Sequence, residues 1–408
     1  MKADNDTSKA QDIAGFSGAR LARIDNFFHV EVARGLIPGA VLLIERKGET
    51  VLKRAWGYRN RAAGTGMTLD TIFRIHSMTK PLVSVATMML AAEGRLHLGQ
   101  PIADFIPSFG NLTVLEREGE VEPKRLPTVH DLLRHTAGLI YERNGGPVAP
   151  LYRAADVASR SITSEEFADR IASVPLAYHP GRVWEYSHAT DVLGRVVEVV
   201  AGRSLGTVLR NRLTAPLGMV DTGFHVPDPD DHDRIAEPLA SDGLPDGRPF
   251  VDPRCEPALE AGGVGLVSTL DDYAAFCRML LAGGTWSDDV YLSERSLRFM
   301  TADHIGPGTG ITRAADFLPG AGFGFGLGFA VRRELGASAF PGSIGEFNWT
   351  GMAGTMFWVD PAEEMFVVLL AQAPGQRLRH RAILKALVYD ALLGKRALKA
   401  ERRRRKGE

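Results

Sequence analysis

A chain of 408 residues that is 45% hydrophobic and 24% charged is long enough to bury a large core, as one domain or as two intermeshed ones. A formal net charge of −1 leaves no field that would hold nucleic acid or an anionic membrane, and no apolar run reaches the length of a membrane span. Two cysteines, Cys255 and Cys277, are too few for a disulfide framework or a zinc site.

In chain order, the polar stretch Met1-Lys2-Ala3-Asp4-Asn5 has no apolar h-region, so the expected location is the cytoplasm. Leu21, Ile24, Phe27, Phe28 and Val32 recur at helical spacing and predict an amphipathic helix over 16–35. Two strands, 40–45 and 50–56, follow around a turn at Lys47-Gly48-Glu49, and a hairpin start implies an antiparallel sheet. From Gly94 to about Leu217 the chain is mostly helix-prone, with a periodic helix at 191–201 that Gly202 ends. Residues 225–260, rich in Pro, Asp and Gly, read as a long surface connection. Their cluster Asp228-Pro229-Asp230-Asp231-His232-Asp233 lacks the glycine and closing glutamate of an EF-hand loop, so it reads as solvated. Ser268-Thr269-Leu270-Asp271-Asp272 starts another helix. Strands are expected at 323–329, 352–359 and 365–371, then a closing helix over 377–393. The basic run Arg402-Arg403-Arg404-Arg405-Lys406 reads as a solvated tail.

The chemistry concentrates in Ser77-Met78-Thr79-Lys80-Pro81. Among the lysines only Lys80 has a serine three residues before it, and the residues that follow are apolar on nearly every side, as in a buried helix. Pro81 suits a first turn, so the helix is expected to begin near Ser77, with Ser77 and Lys80 on one face about 5–6 Å apart at Cβ. Free N–H groups at a helix start favour an attacking alkoxide and an oxyanion. S-x-x-K alone is weak, since chance produces about one in a chain of this length. A rival, Gly202-Arg203-Ser204-Leu205-Gly206, spells the nucleophile elbow, but it follows a helix where a strand is required, and Ser204 reads as a helix cap. None of His76, His130, His135, His179 and His188 stands in a metal-binding spacing.

Ser77-Met78-Thr79-Lys80, Tyr186-Ser187-His188 and Trp349-Thr350-Gly351, in this order and separation, resemble the three active-site motifs of the serine β-lactamase-like superfamily. The resemblance is closest to class C β-lactamases and family VIII carboxylesterases. It extends to His135-Thr136-Ala137-Gly138-Leu139, Pro216-Leu217-Gly218-Met219, Gly262-Gly263-Val264-Gly265-Leu266 and Phe357-Trp358-Val359-Asp360-Pro361, and covers roughly residues 20–395. It implies Ser77 as nucleophile, Tyr186 as general base through its phenolate, and Lys80 as the cation that favours that phenolate. It also implies an oxyanion hole from the N–H groups of Ser77 and Met352, and substrate contacts from Trp349, Gly351 and His188, with no metal or cofactor. Trp349 either lines the acyl pocket or anchors the sheet edge.

Two departures shape the expectation. Trp349 stands where class C β-lactamases have a lysine, so the cation that would meet a β-lactam carboxylate is missing. His188 replaces the usual asparagine. Both changes resemble family VIII esterases. The expected protein is an α/β (α+β) sandwich, its antiparallel sheet formed from both chain ends (1–76 and 255–408) beside a helical domain at 77–254, with the active site at their interface. The expected activity is hydrolysis of short- to medium-chain carboxylic esters through an acyl-serine. A β-lactamase or D-alanyl-D-alanine peptidase, an acyltransferase, and a non-catalytic assembly protein stay open. The partner is a small-molecule ester, and oligomeric state is left open.

Overall fold

The hairpin that opens the sheet is set by two residues. Lys47 and Gly48 take φ of 54° and 74°, the left-handed conformations that a two-residue hairpin turn needs, and they join β1 (Gly39–Arg46) to β2 (Glu49–Asn60). This is a computed structural model that describes residues 12–314 and 319–394; the polar N-terminus and the basic run at 402–406 lie outside the described residues.

The short strand β3 (Thr65–Gly66) and five strands from the far end of the chain complete the sheet: β4 (Phe323–Phe325), β5 (Ala330–Arg332), β6 (Phe347–Thr350), β7 (Met356–Asp360) and β8 (Met365–Ala371). All eight pair antiparallel in the order β4-β5-β6-β7-β8-β1-β2-β3, so β1 sits beside the last strand, Leu43 opposite Val368. Alternation sends Val41, Leu43, Phe357, Val359, Val368 and Leu370 to one face and Ala40, Leu42, Ile44, Trp358, Val367 and Leu369 to the other. Both faces are buried. The second packs against Ile24 and Phe28 of α1 (Gly18–Ala33) and Leu384 and Val388 of the C-terminal helix, and the first against the helical middle of the chain.

The helical layer centres on α2 (Thr79–Ala92), buried from Thr79 through Met88, with α3 (Ala189–Ala201), α4 (Leu270–Leu281) and shorter helices around it. Gly202 closes α3 at φ 66°, and Thr269 Oγ1 caps α4 by accepting from Asp272 N. The final helix, α5, spans Arg377–Ala391. In the 225–260 connection Asp228 caps a short 3₁₀ turn, Pro229–Arg234, and Asp231 pairs with Arg234, so the acidic cluster serves local turns. Among the described residues no helix is long and apolar enough to cross a membrane.

Two strand expectations need correction. Residues 323–329 are not one strand: β4 reverses at Gly326-Leu327-Gly328 into β5, and a Cβ on Gly328 (φ 94°) would lie 2.3 Å from Ser84 Oγ of α2. The glycine there serves close approach of backbone to helix. Residues 352–355 are a turn, and the strand before it, β6, was missed because it is only four residues long and lies between the Gly-containing stretch 341–345 and that turn.

Candidate active site

Three chain segments converge. Phe73–Arg74 pairs antiparallel with Val267–Ser268, and a 3₁₀ turn, His76–Met78, then carries Ser77 into α2. Ser77 therefore precedes the α-helix by one turn, and Pro81 falls within the first turn of α2, where its missing N–H has no helical partner. His76 is left-handed at φ 45°, and the turn is pinned by Tyr273 OH donating to Met78 O (3.0 Å) and Leu266 N donating to Thr79 Oγ1 (3.1 Å).

The second segment enters as Val183–Trp184, paired parallel with Thr312–Arg313, and delivers Tyr186, Ser187 and His188 to the start of α3. His135 fixes it. Its carbonyl accepts from Glu185 N (3.0 Å), its Nδ1 accepts from Ser187 N (3.3 Å), and its ring packs 5.0 Å from that of Tyr186. Burial holds the His135 pKa well below the ordinary imidazole value. A neutral ring held this way acts as a strut.

The third segment is the end of β6 with the turn after it. Gly351 N donates to Thr355 O (2.8 Å), and Thr355 Oγ1 donates to Ile75 O (3.2 Å), which draws this turn onto the Ser77 segment. A Cβ on Gly351 would stand 2.1 Å from Thr355 Oγ1 and 2.4 Å from Ile75 O, so only glycine permits the closure. Neither Ser77 N–H nor Met352 N–H donates to a loop or turn carbonyl among the described residues.

Lys80 lies at the centre, 1% exposed. Its Nζ donates to Gly263 O (2.7 Å), Tyr141 OH (3.1 Å) and Ser77 Oγ (3.4 Å), and stands 4.6 Å from the centre of the Tyr186 ring. Burial by itself lowers its pKa. The phenols of Tyr141 and Tyr186 and the carboxylate of Asp191 outweigh that effect and raise its pKa above 10.5. Lys80 is thus an ammonium donor at neutral pH. Burial pushes Tyr141 up to about 12 despite the opposing Lys80 charge, so Tyr141 stays protonated.

Ser77, Tyr186, Trp349, Gly351 and Met352 all line one cavity of about 690 Å³. Trp349 sits on an interior strand, not at the sheet edge, and its Nε1 donates to Tyr186 OH at 3.3 Å with the rings 5.2 Å apart.

His188 requires correction. It is 1% exposed behind Tyr141, the two rings 4.3 Å apart, and is not on the cavity wall; its Nδ1 lies 2.9 Å from Asp191 Oδ2 and its Nε2 3.3 Å from Glu142 Oε2. Burial lowers its pKa against the pull of Asp191. Asp191 itself is held below the ordinary carboxylate range by His188, against the effect of burial, and its Oδ1 accepts from Gly263 N (2.8 Å), the residue whose carbonyl holds Lys80. Sequence reasoning missed Tyr141, Asp191 and Gly263 as parts of this site. The three-residue step from His188 to Asp191 was a readable helix-face signal; the approach of Tyr141 was not, since it comes from a loop. Ser204 is the cap of the short helix Leu205–Leu209, its Oγ accepting from Thr207 N (3.3 Å), away from the cavity.

The Beta-lactamase family profile matches residues 24–390. Esterase EstB of Burkholderia gladioli is 34% identical over 386 residues, 89% of this chain and 94% of its own. Among solved structures, EstCE1, described as a hydrolase with promiscuous acyltransferase activity, superposes with a TM-score of 0.78 at 28% identity over 92% of this chain and 99% of its own. The simvastatin synthase LovD of Aspergillus terreus shares the fold, with a TM-score of 0.73 at 22% identity over 91% and 98% of the two chains. A profile spanning nearly the whole chain, the long match to an esterase, and the convergence of Ser77, Lys80 and Tyr186 carry one conclusion: the chain belongs to the beta-lactamase family, among members of the kind represented by family VIII esterases.

Proposed function

We propose that this protein is a serine esterase that cleaves short- to medium-chain carboxylic esters in the cleft between the sheet unit (1–76 and 255–408) and the helical unit (77–254). The observation that carries the reading is Trp349 Nε1, which meets Tyr186 OH where a lysine would stand in a β-lactamase, beside a Ser77 already held by a buried ammonium. EstB and EstCE1, by their names an esterase and a hydrolase, support it.

In the mechanism, Tyr186, contacted by Trp349 Nε1 and lying over Lys80 Nζ, acts as a phenolate and takes the Ser77 proton as Oγ attacks the acyl carbon. The oxyanion accepts hydrogen bonds from Ser77 N and Met352 N. Collapse expels the alkoxide, which recovers the proton from Tyr186 and leaves as the alcohol. A water deprotonated by Tyr186 then attacks the acyl-serine, and the departing Ser77 Oγ takes that proton back.

The test is turnover of para-nitrophenyl esters from acetate to decanoate beside a chromogenic cephalosporin. Ester kcat/KM should exceed cephalosporin kcat/KM by about 100-fold or more, because the indole of Trp349 fills the position beside Tyr186 from which a lysine would hold the lactam carboxylate in place for attack. Dominant cephalosporin turnover would reverse the assignment. The promiscuous acyl transfer attributed to EstCE1 motivates a second arm with added alcohol: a transesterified product would place acyl transfer beside hydrolysis. Gly351→Ala should lower ester kcat/KM by about 100-fold, since the intruding Cβ pushes the Met352 amide away from Ser77 by a sizeable fraction of an ångström. Undiminished turnover in that variant would remove Met352 N from the oxyanion hole.

A further inference from the structure

The cavity wall carries three guanidinium groups, from Arg143, Arg377 and Arg381, and their charge is poorly answered. Arg377 and Arg381 have no carboxylate within ion-pair distance among the described residues. Arg377 Nη1 donates to Pro374 O (2.8 Å), and Arg381 Nη2 donates to Asn348 Oδ1 (3.3 Å) while its guanidinium packs 5.7 Å from the Phe340 ring. Arg143 Nη1 lies 4.0 Å from Asp246 Oδ2, its one ion-pair partner among the described residues, and its guanidinium stacks 3.9 Å over the Tyr141 ring.

The placement is also electrostatically adverse. Arg377 and Arg381 stand in the first turns of α5, at the positive end of a 15-residue helix that has no acidic residue in its first turn, and Arg143 is near enough to repel Arg377. Asp242 attracts Arg377 from beyond ion-pair distance while accepting from Gly375 N (2.8 Å). Desolvation lowers the pKa of both arginines and outweighs the more distant attraction of Asp242 for Arg377 and of Glu346 for Arg381. By contrast Arg379, between them in sequence, is paired with Glu31. Among the described residues the one carboxylate on the cavity wall, Glu185, is taken by Asn144 Nδ2 and lies beside Tyr178, with the apolar residues Leu115 and Ala177 also on the wall.

We propose that Arg377 and Arg381, with Arg143, form an anion subsite that receives a carboxylate on the ester, so that the substrate is a half-ester of a dicarboxylic acid or an ester of a hydroxy acid. This rests on the esterase reading above. Guanidinium forks bind carboxylates bidentately, and burial of a charged substrate group against them separates charged from neutral esters more sharply than an apolar wall separates chain lengths.

The test pairs charged with neutral isosteres on each side of the scissile bond. Mono-para-nitrophenyl glutarate is set against its methyl ester for the acyl side, and para-butanoyloxybenzoate against para-butanoyloxybenzamide for the alcohol side. In wild type one pair should favour the anion by about 30-fold in kcat/KM, less so in high salt. That ratio should fall to near one in Arg377→Gln and Arg381→Gln and invert in Arg377→Glu. Calorimetry with glutarate on Ser77→Ala protein reads the subsite apart from turnover, and binding should vanish in the Arg381→Gln background. Neutral esters cleaved with ratios near one on both sides, or a ratio unchanged by the substitutions, overturns the subsite and leaves the esterase standing. Glutarate bound through Arg381 with no ester cleaved overturns the esterase reading and keeps the subsite.

Discussion

Ser77→Ala protein is expected to fold normally and to lose ester turnover by about four orders of magnitude, leaving only what binding and the oxyanion hole supply. The fold survives because Ser77 Oγ is the longest of three contacts made by Lys80 Nζ; Gly263 O at 2.7 Å and Tyr141 OH at 3.1 Å remain, so the buried ammonium stays satisfied. Ser204→Ala is the matched control. It removes a helix cap, which costs about 1 kcal/mol of stability, and leaves turnover intact because Ser204 is not on the cavity wall. A serine-directed phosphonate read by mass spectrometry should label wild type and Ser204→Ala but not Ser77→Ala. An inactive Ser204→Ala beside an active Ser77→Ala would dismantle the assignment from its first motif.

Tyr186→Phe should lower kcat by about a thousandfold while the melting temperature barely moves, since the hydroxyl answers a Trp349 N–H that already lies beside the cavity. Tyr141→Phe is the comparison that gives this result meaning. Both phenols neighbour Lys80, but only Tyr186 lines the cavity, and Tyr141 is pushed to about 12 and keeps its proton. Tyr141→Phe should therefore cost about tenfold, through loosened positioning of Lys80. A larger loss in Tyr141→Phe than in Tyr186→Phe would exchange the two roles. The pH profile follows from Lys80. With its pKa raised above 10.5, the ammonium persists as pH rises and is lost only beyond that value. Ester kcat/KM should accordingly show no decline between about pH 7 and pH 10. A fall on the alkaline side within that range would mean that Lys80 titrates there.

The two arginines of α5 show where local reading stops. Arg377 and Arg381 look like ordinary surface charges in a helix sequence, and their meaning comes from the cavity they line and from having no ion-paired carboxylate among the described residues. His188 shows the converse. Its place in a motif suggested contact with substrate, yet packing turned it inward onto Asp191 and Glu142, where it supports Tyr141 from behind.

Ser77 and Lys80 were legible because three residues along a chain entering a helix is a geometric statement that needs no tertiary contact. The Lys47-Gly48 hairpin, the caps at Ser204 and Thr269, and the stop at Gly202 were legible for the same reason, since turn and cap chemistry acts within a few residues. Tertiary structure decided everything that depends on segments far apart in sequence. It paired β1 with β8, brought the Tyr141 loop and Gly263 to the lysine, and aimed Trp349 Nε1 at Tyr186, 163 residues away. It also set the charge of Lys80, because that depends on the balance between burial and three neighbours, Tyr141 from one loop and Tyr186 and Asp191 from the start of α3. Local sequence encodes short-range hydrogen bonds and periodicity, whereas the electrostatics of a buried site belong to whichever distant groups the packing of sheet against helices leaves beside it.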